Sequence, residues 1–347
     1  MYAVILKELN APLLIKKVEL TELQVGQVLV RVLTSGLCGA QLHEIRGHKG
    51  NAKFLPHLMG HEGCGIVEEL GPGVTTVAVG DKVVMHWRVG AGIEAPFPSY
   101  ILDGKKISSG KVTTLSEYSI VSENRLTTVP HDTSNHLSAL LGCGLTTALG
   151  IINNEVDLKF GESVMVVGCG GVGLNLIQGA ALASAYPIIG VDVTEAKRTM
   201  TTNLGATLFV NSKTESVKSI LNNNLTNGAV DVIIDTTGVP SVITELTRHL
   251  SDKGRLVLVG QPKPGEELVI PNGNALFNGV GKVIKASQGG QTNPTEDIPR
   301  YVKLHKAGIL NIDKLISHQF YFDRVNKAFD LLQTGTAGRI MIEINKD

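Results

Sequence analysis

The stretch "VMVVGCGGVGLNLIQGA", residues 164–180, decides how the chain is read. An apolar run ends in a cluster of glycines, and Gly168, Gly170 and Gly173 fall in G-x-G-x-x-G spacing ahead of a longer segment that reads as a helix. Between a strand and a helix each glycine has a task. The first permits a tight turn, the second lets backbone approach a pyrophosphate, and the third lets helix and strand pack closely. Gly171 and Val172 stand at the helix start, where free amides and the helix dipole favour a diphosphate. Asp192 ends the next apolar run, where a carboxylate accepts both hydroxyls of an adenosine ribose and repels a 2′-phosphate. NAD is therefore expected over NADP. Lys197, a few residues on, also reaches toward that ribose, while Cys169 inside the fingerprint reads as a space-filler.

Working outward, the segment from 146 to 288 alternates short apolar strands ("SVMVVG", "PIIGVDV", "VDVIIDTTG", "GRLVLVG", "KVIKAS") with helical stretches. Such alternation implies right-handed βαβ units and a doubly wound parallel sheet, an α/β fold. Residues 1–145 read differently: "GQVLVRVLTSG", "GCGIVEELGPGV" and "LSEYSIVSENRLTTVP" are short β-branched runs punctuated by glycine, an irregular β-rich domain. Residues 289–347 offer two amphipathic stretches and a last strand, "RIMIEI", and are expected to return to the first domain. The stretch 86–111 is a long segment broken by Gly and Pro, expected to form a lid, a cleft lip or a subunit contact.

A chain of 347 residues has room for roughly two domains. Lys+Arg and Asp+Glu both number 32, so no net field draws nucleic acid or anionic membrane, and a small neutral or weakly charged ligand suits the chain better. The opening "MYAVILKELNAPLLIKK" lacks the basic start and cleavage site of a signal peptide, and no apolar run approaches membrane-spanning length. A cytoplasmic protein is expected, with Cys38, Cys64, Cys143 and Cys169 as reduced thiols.

Three of the possible metal ligands share a feature. Cys38, His61 and Cys143 each sit beside glycine, in "LCG", "GHEG" and "GCG", which lets a loop bend a ligand inward. Two thiolates and an imidazole make a catalytic zinc set with one open position, and the thiolates neutralise the ion. Spacing alone leaves three unrelated core residues as an equal reading.

The stretch "GHEGCGIVEELGPGVTTVAVGDKV" resembles the glycine-histidine-glutamate signature of zinc-dependent medium-chain alcohol dehydrogenases, through Gly60, His61, Glu62, Gly65, Val67, Gly71, Val74, Gly80, Asp81 and Val83. With the Cys38 motif upstream and "LLGCGLTTALG" and the nucleotide fingerprint downstream, the resemblance runs over nearly the whole chain. It implies a GroES-like catalytic domain with an inserted Rossmann domain, one catalytic zinc and NAD. It also implies Cys38, His61 and Cys143 as zinc ligands and Glu62 as an acid that approaches the metal during ligand exchange. His43 would sit at the nicotinamide ribose and Thr147 against the nicotinamide. The run from Val259 through Gly260 to Pro262 would hold the carboxamide, and Arg339 the diphosphate. The resemblance further implies a homodimer or homotetramer acting on a small alcohol or carbonyl compound.

Three departures from the family pattern matter. Residues 86–111 contain no cysteine, so a second, structural zinc is not expected. Gln41 replaces the usual Asp that orients the zinc histidine, and a neutral amide is still able to accept an imidazole N–H. Ala40 replaces the usual Ser or Thr and carries no proton. A water or a second substrate hydroxyl must then bridge to His43, which points to a polyol or sugar derivative. Competing readings are a simple alcohol or aldehyde dehydrogenase, a zinc-free enone reductase, and a catalytically weak NAD-binding regulatory protein. His48 and His57 flank the site in sequence and read as loop or surface residues.

Overall fold

The computed structural model describes residues 1–345, Asn51 by its backbone alone; positions 346 and 347 lie outside that range. The chain divides into two compact units, Met1–Thr146 together with the segment from Thr292 onward, and Thr147–Gln291.

In the second unit the strand Val164–Val167 lies at the centre of a six-stranded parallel sheet. On one side it pairs with Ile188–Asp192, which pairs with Leu208–Asn211. On the other it pairs with Val230–Asp235, followed by Leu250–Leu258 and Val283–Ala286. The order reverses at the central strand, which is where a doubly wound sheet opens a crevice at its carboxyl edge. Leu208–Asn211 escapes a sequence reading because "LFVN" is too short to display a period. Met165, Ile189, Ile233 and Leu256 fill the interior against this sheet.

The first unit holds two sheets. One is built around Gln27–Leu37, the longest strand, which pairs antiparallel with Gly63–Leu70, Tyr118–Ser122 and the tail strand Arg339–Glu343. The tail strand also takes Ile316–Tyr321 in parallel, a strand not evident in the sequence because only Ile316 and Phe320 are part-buried and no apolar alternation shows. The other sheet includes Tyr2–Leu6, Leu14–Lys17 and His57–Leu58.

The segment 86–111 is more ordered than its Gly and Pro content suggests. It closes into an antiparallel hairpin of Ser99–Leu102 and Lys105–Ser108. The buried Glu123 carboxylate accepts the backbone N–H of Ile93 at 2.8 Å and of Thr75 and Thr76 at 2.6 and 2.7 Å. Glu94 is paired with Lys111 and, at 3.2 Å, with Arg125. Among the described residues no helix is long and apolar enough to cross a membrane.

His86, at the start of that segment, supplies a pH test. Its Nδ1 faces the Arg88 carbonyl oxygen at 2.8 Å, so Nδ1 carries the proton, and Nε2 accepts from the Thr127 hydroxyl at 2.9 Å. Burial pushes its pKa from 6.5 down to about 4. The folded value lies below the unfolded one, so the native state binds fewer protons than the unfolded chain between those limits. The stability this neutral imidazole protects is therefore complete above 6.5 and lost as pH falls toward 4. Urea titrations across that window should show a loss of up to about 3 kcal/mol, and His86→Asn should flatten it. Parallel profiles for the two proteins would contradict this.

Candidate active site

Cys38 lies at the end of the long strand, as N-cap of the helix Gly39–Ile45. Gln41 caps this helix: its Oε1 accepts the Cys38 N–H at 2.8 Å. The amide oxygen expected to hold an imidazole is thus spent on backbone, and Gln41 Nε2 is left buried without a partner. The physical reason is proximity, since the first N–H groups of a helix have no intrahelical acceptor and the nearest polar side chain serves them. His61 follows Gly60, whose φ of +102° bends the chain and whose absent Cβ would otherwise sit 2.6 Å from the Leu115 nitrogen. Cys143 comes from the turn after the helix Asn135–Leu140.

These three segments meet. The ligand atoms of Cys38, His61 and Cys143 lie within 4.8 Å of one another, a set able to hold a metal ion. The Cys38 thiol is held well below its ordinary range, chiefly by a hydrogen bond from Cys143 and further by His61 and the nearby Arg339. Cys143 is pushed above its ordinary range by Cys38 in turn. Two buried thiols competing for one proton are poorly matched to each other and well matched to a dication, which takes both as thiolates. The donor set fits zinc.

Behind the sulfurs lies a contact separated by 277 positions in sequence: the Arg339 guanidinium donates to Glu62 Oε1. Glu62 Oε2 accepts the Gly144 N–H at 3.2 Å, and Arg339 Nε is buried without a partner. Both acid and guanidinium are buried, so each neutralises the other. Nothing in the sequence assigns this pair.

His43 lies on the helix Gly39–Ile45, half-buried, and His48 packs edge-on against it with ring centroids 5.6 Å apart. Burial lowers the His43 pKa, with His48, Lys49 and Arg46 acting in the same direction and Cys38 opposing them. His48, read from sequence as a loop or surface residue, lies in the turn after that helix, partly buried and with its Nδ1 unpartnered. His57 is buried, its Nδ1 facing the Leu58 carbonyl oxygen at 2.9 Å. Trp87, the chain's one tryptophan, sits beside Cys143 with its buried indole N–H turned to that sulfur. Sequence reasoning missed Lys49 and Trp87; the available signal was the "GHKG" directly after the Cys38 helix and the solitary tryptophan.

In the second unit the fingerprint forms the turn into the helix Gly171–Leu182. Gly168 has φ +90°, and a Cβ on Gly173 would fall 1.9 Å from the Gly168 oxygen. Beside Gly170 a Cβ would meet nothing within 4 Å, an open cradle that exposes backbone amides. Val172 follows on the first turn of that helix. Asp192 Oδ2 accepts the Cys169 N–H at 2.8 Å, tying the strand end to the turn, and Oδ1 accepts the Thr194 N–H at 2.9 Å. Lys197 is buried, its pKa lowered by that burial against the opposing charge of Asp192. The N–H groups of Val259 and Gly260 both donate to the Asp235 carbonyl oxygen, at 2.8 and 3.0 Å. Thr147 is buried at the start of this unit. The open turn and the strand-end carboxylate fit a dinucleotide.

Comparison with known proteins shows the family. Residues 24–131 match the alcohol dehydrogenase GroES-like domain and residues 171–306 the zinc-binding dehydrogenase family. The chain is 30% identical to the class-3 alcohol dehydrogenase of Cereibacter sphaeroides, over 98% of each protein. Its fold is similar to that of benzyl alcohol dehydrogenase from Acinetobacter calcoaceticus, with 26% identity, 99% of each chain covered and a TM-score of 0.89. It is also similar to that of 2R,3R-butanediol dehydrogenase from Bacillus subtilis, again at 26% identity and 99% coverage of each chain, with a TM-score of 0.78. The chain belongs to the zinc-dependent medium-chain dehydrogenase family. It is an alcohol oxidoreductase that uses zinc and NAD.

Proposed function

We propose that the protein transfers hydride between NAD and a carbinol carbon of a polyol or sugar derivative, with Cys38, His61 and Cys143 holding one zinc ion per chain. Ala40 carries this reading. It stands one helix turn from His43, at the place where a hydroxyl would hand the substrate proton onward, and a methyl group cannot do so.

When bound, zinc supplies Lewis acidity toward the substrate oxygen and NAD supplies the hydride acceptor. His43 receives the proton. Its lowered pKa keeps the imidazole neutral near pH 7, so a ring nitrogen is free to accept. The path to it runs through a water or a neighbouring substrate hydroxyl, which a polyol provides and a simple alcohol does not. Glu62, held by Arg339, stays beside the sulfurs without placing an unpaired charge there. The backbone of Gly168, Gly170, Gly171, Val172 and Gly173 receives the diphosphate, and Asp192 and Lys197 take the adenosine ribose. Val259 and Gly260 lie along the carboxamide, Thr147 packs on the nicotinamide, and Arg339 is assigned to the diphosphate as well as to Glu62. In domain terms, residues 1–145 and 289–347 form the catalytic part and 146–288 the nucleotide part.

The butanediol enzyme among the structural relatives acts on a vicinal diol, which supports the same substrate class here. We further propose a cytoplasmic homodimer or homotetramer, in keeping with four free thiols. Sedimentation analysis tests the assembly.

A screen of polyols, sugars and simple alcohols, read as reduced-cofactor absorbance with zinc-loaded protein, tests the function. Vicinal diols should outperform mono-alcohols, and His43→Ala should lower kcat by about 10²-fold or more and remove a limb of its pH profile. An unchanged rate and profile in His43→Ala would rule out the bridged path. Equal turnover of mono-alcohols would rule out the polyol.

A further inference from the structure

We infer that the substrate carries an anionic oxygen group, a phosphate or a carboxylate, which docks on Lys49 and the buried Nδ1 of His48. The inference rests on the proposed dehydrogenase reading and narrows its substrate from polyols in general to acidic polyol or sugar derivatives.

The geometry comes from the end of the Cys38 helix. After Arg46, Gly47 turns the chain with φ +73°, and the His48 N–H donates to the His43 carbonyl oxygen at 2.9 Å. This fold-back lays the His48 ring against His43, with Lys49 the next residue along. The Lys49 ammonium acts electrostatically on both His43 and Cys143, although the two belong to different segments. A chain with no net charge has thus gathered cations around His43 and Trp87: Arg46, Lys49 and, stacked on the Trp87 ring at 5.6 Å, Arg88.

One acid lies among them. Glu44 accepts from Lys49 at 3.0 Å, and the lysine side chain remains 35% exposed. An ammonium has three donors, so two remain after this contact. A partly exposed ion pair of this kind is worth little, and an incoming anion shares or displaces it at small cost.

One buried ring nitrogen in the same neighbourhood has no partner, His48 Nδ1. Buried polar atoms are nearly always satisfied in a working protein, so this nitrogen marks a place where a ligand supplies the partner, an acceptor when Nδ1 carries the proton. An ammonium with free donors beside an unfilled ring N–H matches an oxyanion. An alcohol with only an alkyl body would leave all of them unfilled.

The test compares polyols with their phosphates and with their aldonic acids, using zinc-loaded protein and NAD. In the native protein kcat/KM should favour the phosphate or the acid over the parent polyol by about tenfold or more, declining with added salt. Lys49→Met should collapse that ratio and Lys49→Arg should largely restore it. Which arm responds identifies the anion as phosphate or carboxylate. Trp87 fluorescence, the chain's single tryptophan signal, reports binding of the same compounds without turnover.

A ratio near one in the native protein, or one that Lys49→Met leaves unchanged, overturns the inference while the dehydrogenase reading stands. A Lys49→Met variant that weakens NADH binding as much as substrate binding also overturns it, because the cations then serve the cofactor. If no compound turns over and Trp87 still reports a phosphate or acid whose binding Lys49→Met abolishes, the anion site stands and the polyol reaction falls.

Discussion

Cys143→Ser should release the zinc and lower kcat/KM by about 10³-fold or more, because the Lewis acid contributes several kcal/mol to the barrier. The geometry gives the reason. The three ligand atoms lie within 4.8 Å of one another and are drawn from separate segments, and the neighbouring Glu62 carboxylate is held by Arg339, so a missing sulfur leaves two of the three donors. The change from thiol to hydroxyl preserves shape and removes the soft anionic donor. Metal analysis per chain, beside circular dichroism to confirm folding, checks the result. A variant that keeps stoichiometric zinc and activity within tenfold of the native protein would remove Cys143 from the ligand set.

Arg339→Met should destabilise the protein by about 3–5 kcal/mol, the cost of stranding a buried carboxylate. The side chains of Arg339 and Glu62 are 2% and 0% exposed, so water cannot replace the lost partner. Adding Glu62→Gln to the same chain should recover most of the loss, since the pair then leaves no charge behind. Chemical denaturation of the native protein, both single variants and the double variant closes the cycle. A loss under about 1 kcal/mol in Arg339→Met would mean that the carboxylate is solvated or protonated. The pair also bears on chemistry: Arg339 helps to hold the Cys38 thiol below its ordinary range, so its removal should weaken zinc binding as well as folding.

Much of this protein was readable in its residue order. The nucleotide turn was plain because each glycine there answers a local demand: a φ of +90° at Gly168, and a Cβ-free contact at Gly173 that leaves 1.9 Å to a backbone oxygen. Such demands are met within a few residues and leave a signature at fixed spacing. The same holds for the bend at Gly60 that turns His61 inward. The metal set was less plain. Spacing alone left Cys38, His61 and Cys143 open to a reading as unrelated core residues, and resemblance to a family joined them.

Other features have no local signature. The carboxylates of Glu123 and Glu94 order the segment 86–111 by reaching backbone and cations elsewhere in the chain. Gln41 gives its oxygen to the nearest orphaned helix N–H, a choice set by proximity. The cations around His43 gather although the whole chain is neutral, because net charge says nothing of where charges lie.

By itself, then, the sequence determined the parallel nucleotide-binding sheet, its glycine turn and the kinds of side chain available to hold a metal, since these follow from backbone sterics and ligand chemistry along short stretches. Only the tertiary structure decided that Arg339 neutralises Glu62 across 277 positions and that His48 folds back onto His43, with Lys49 beside it. Those contacts depend on burial and long-range pairing, which no spacing encodes.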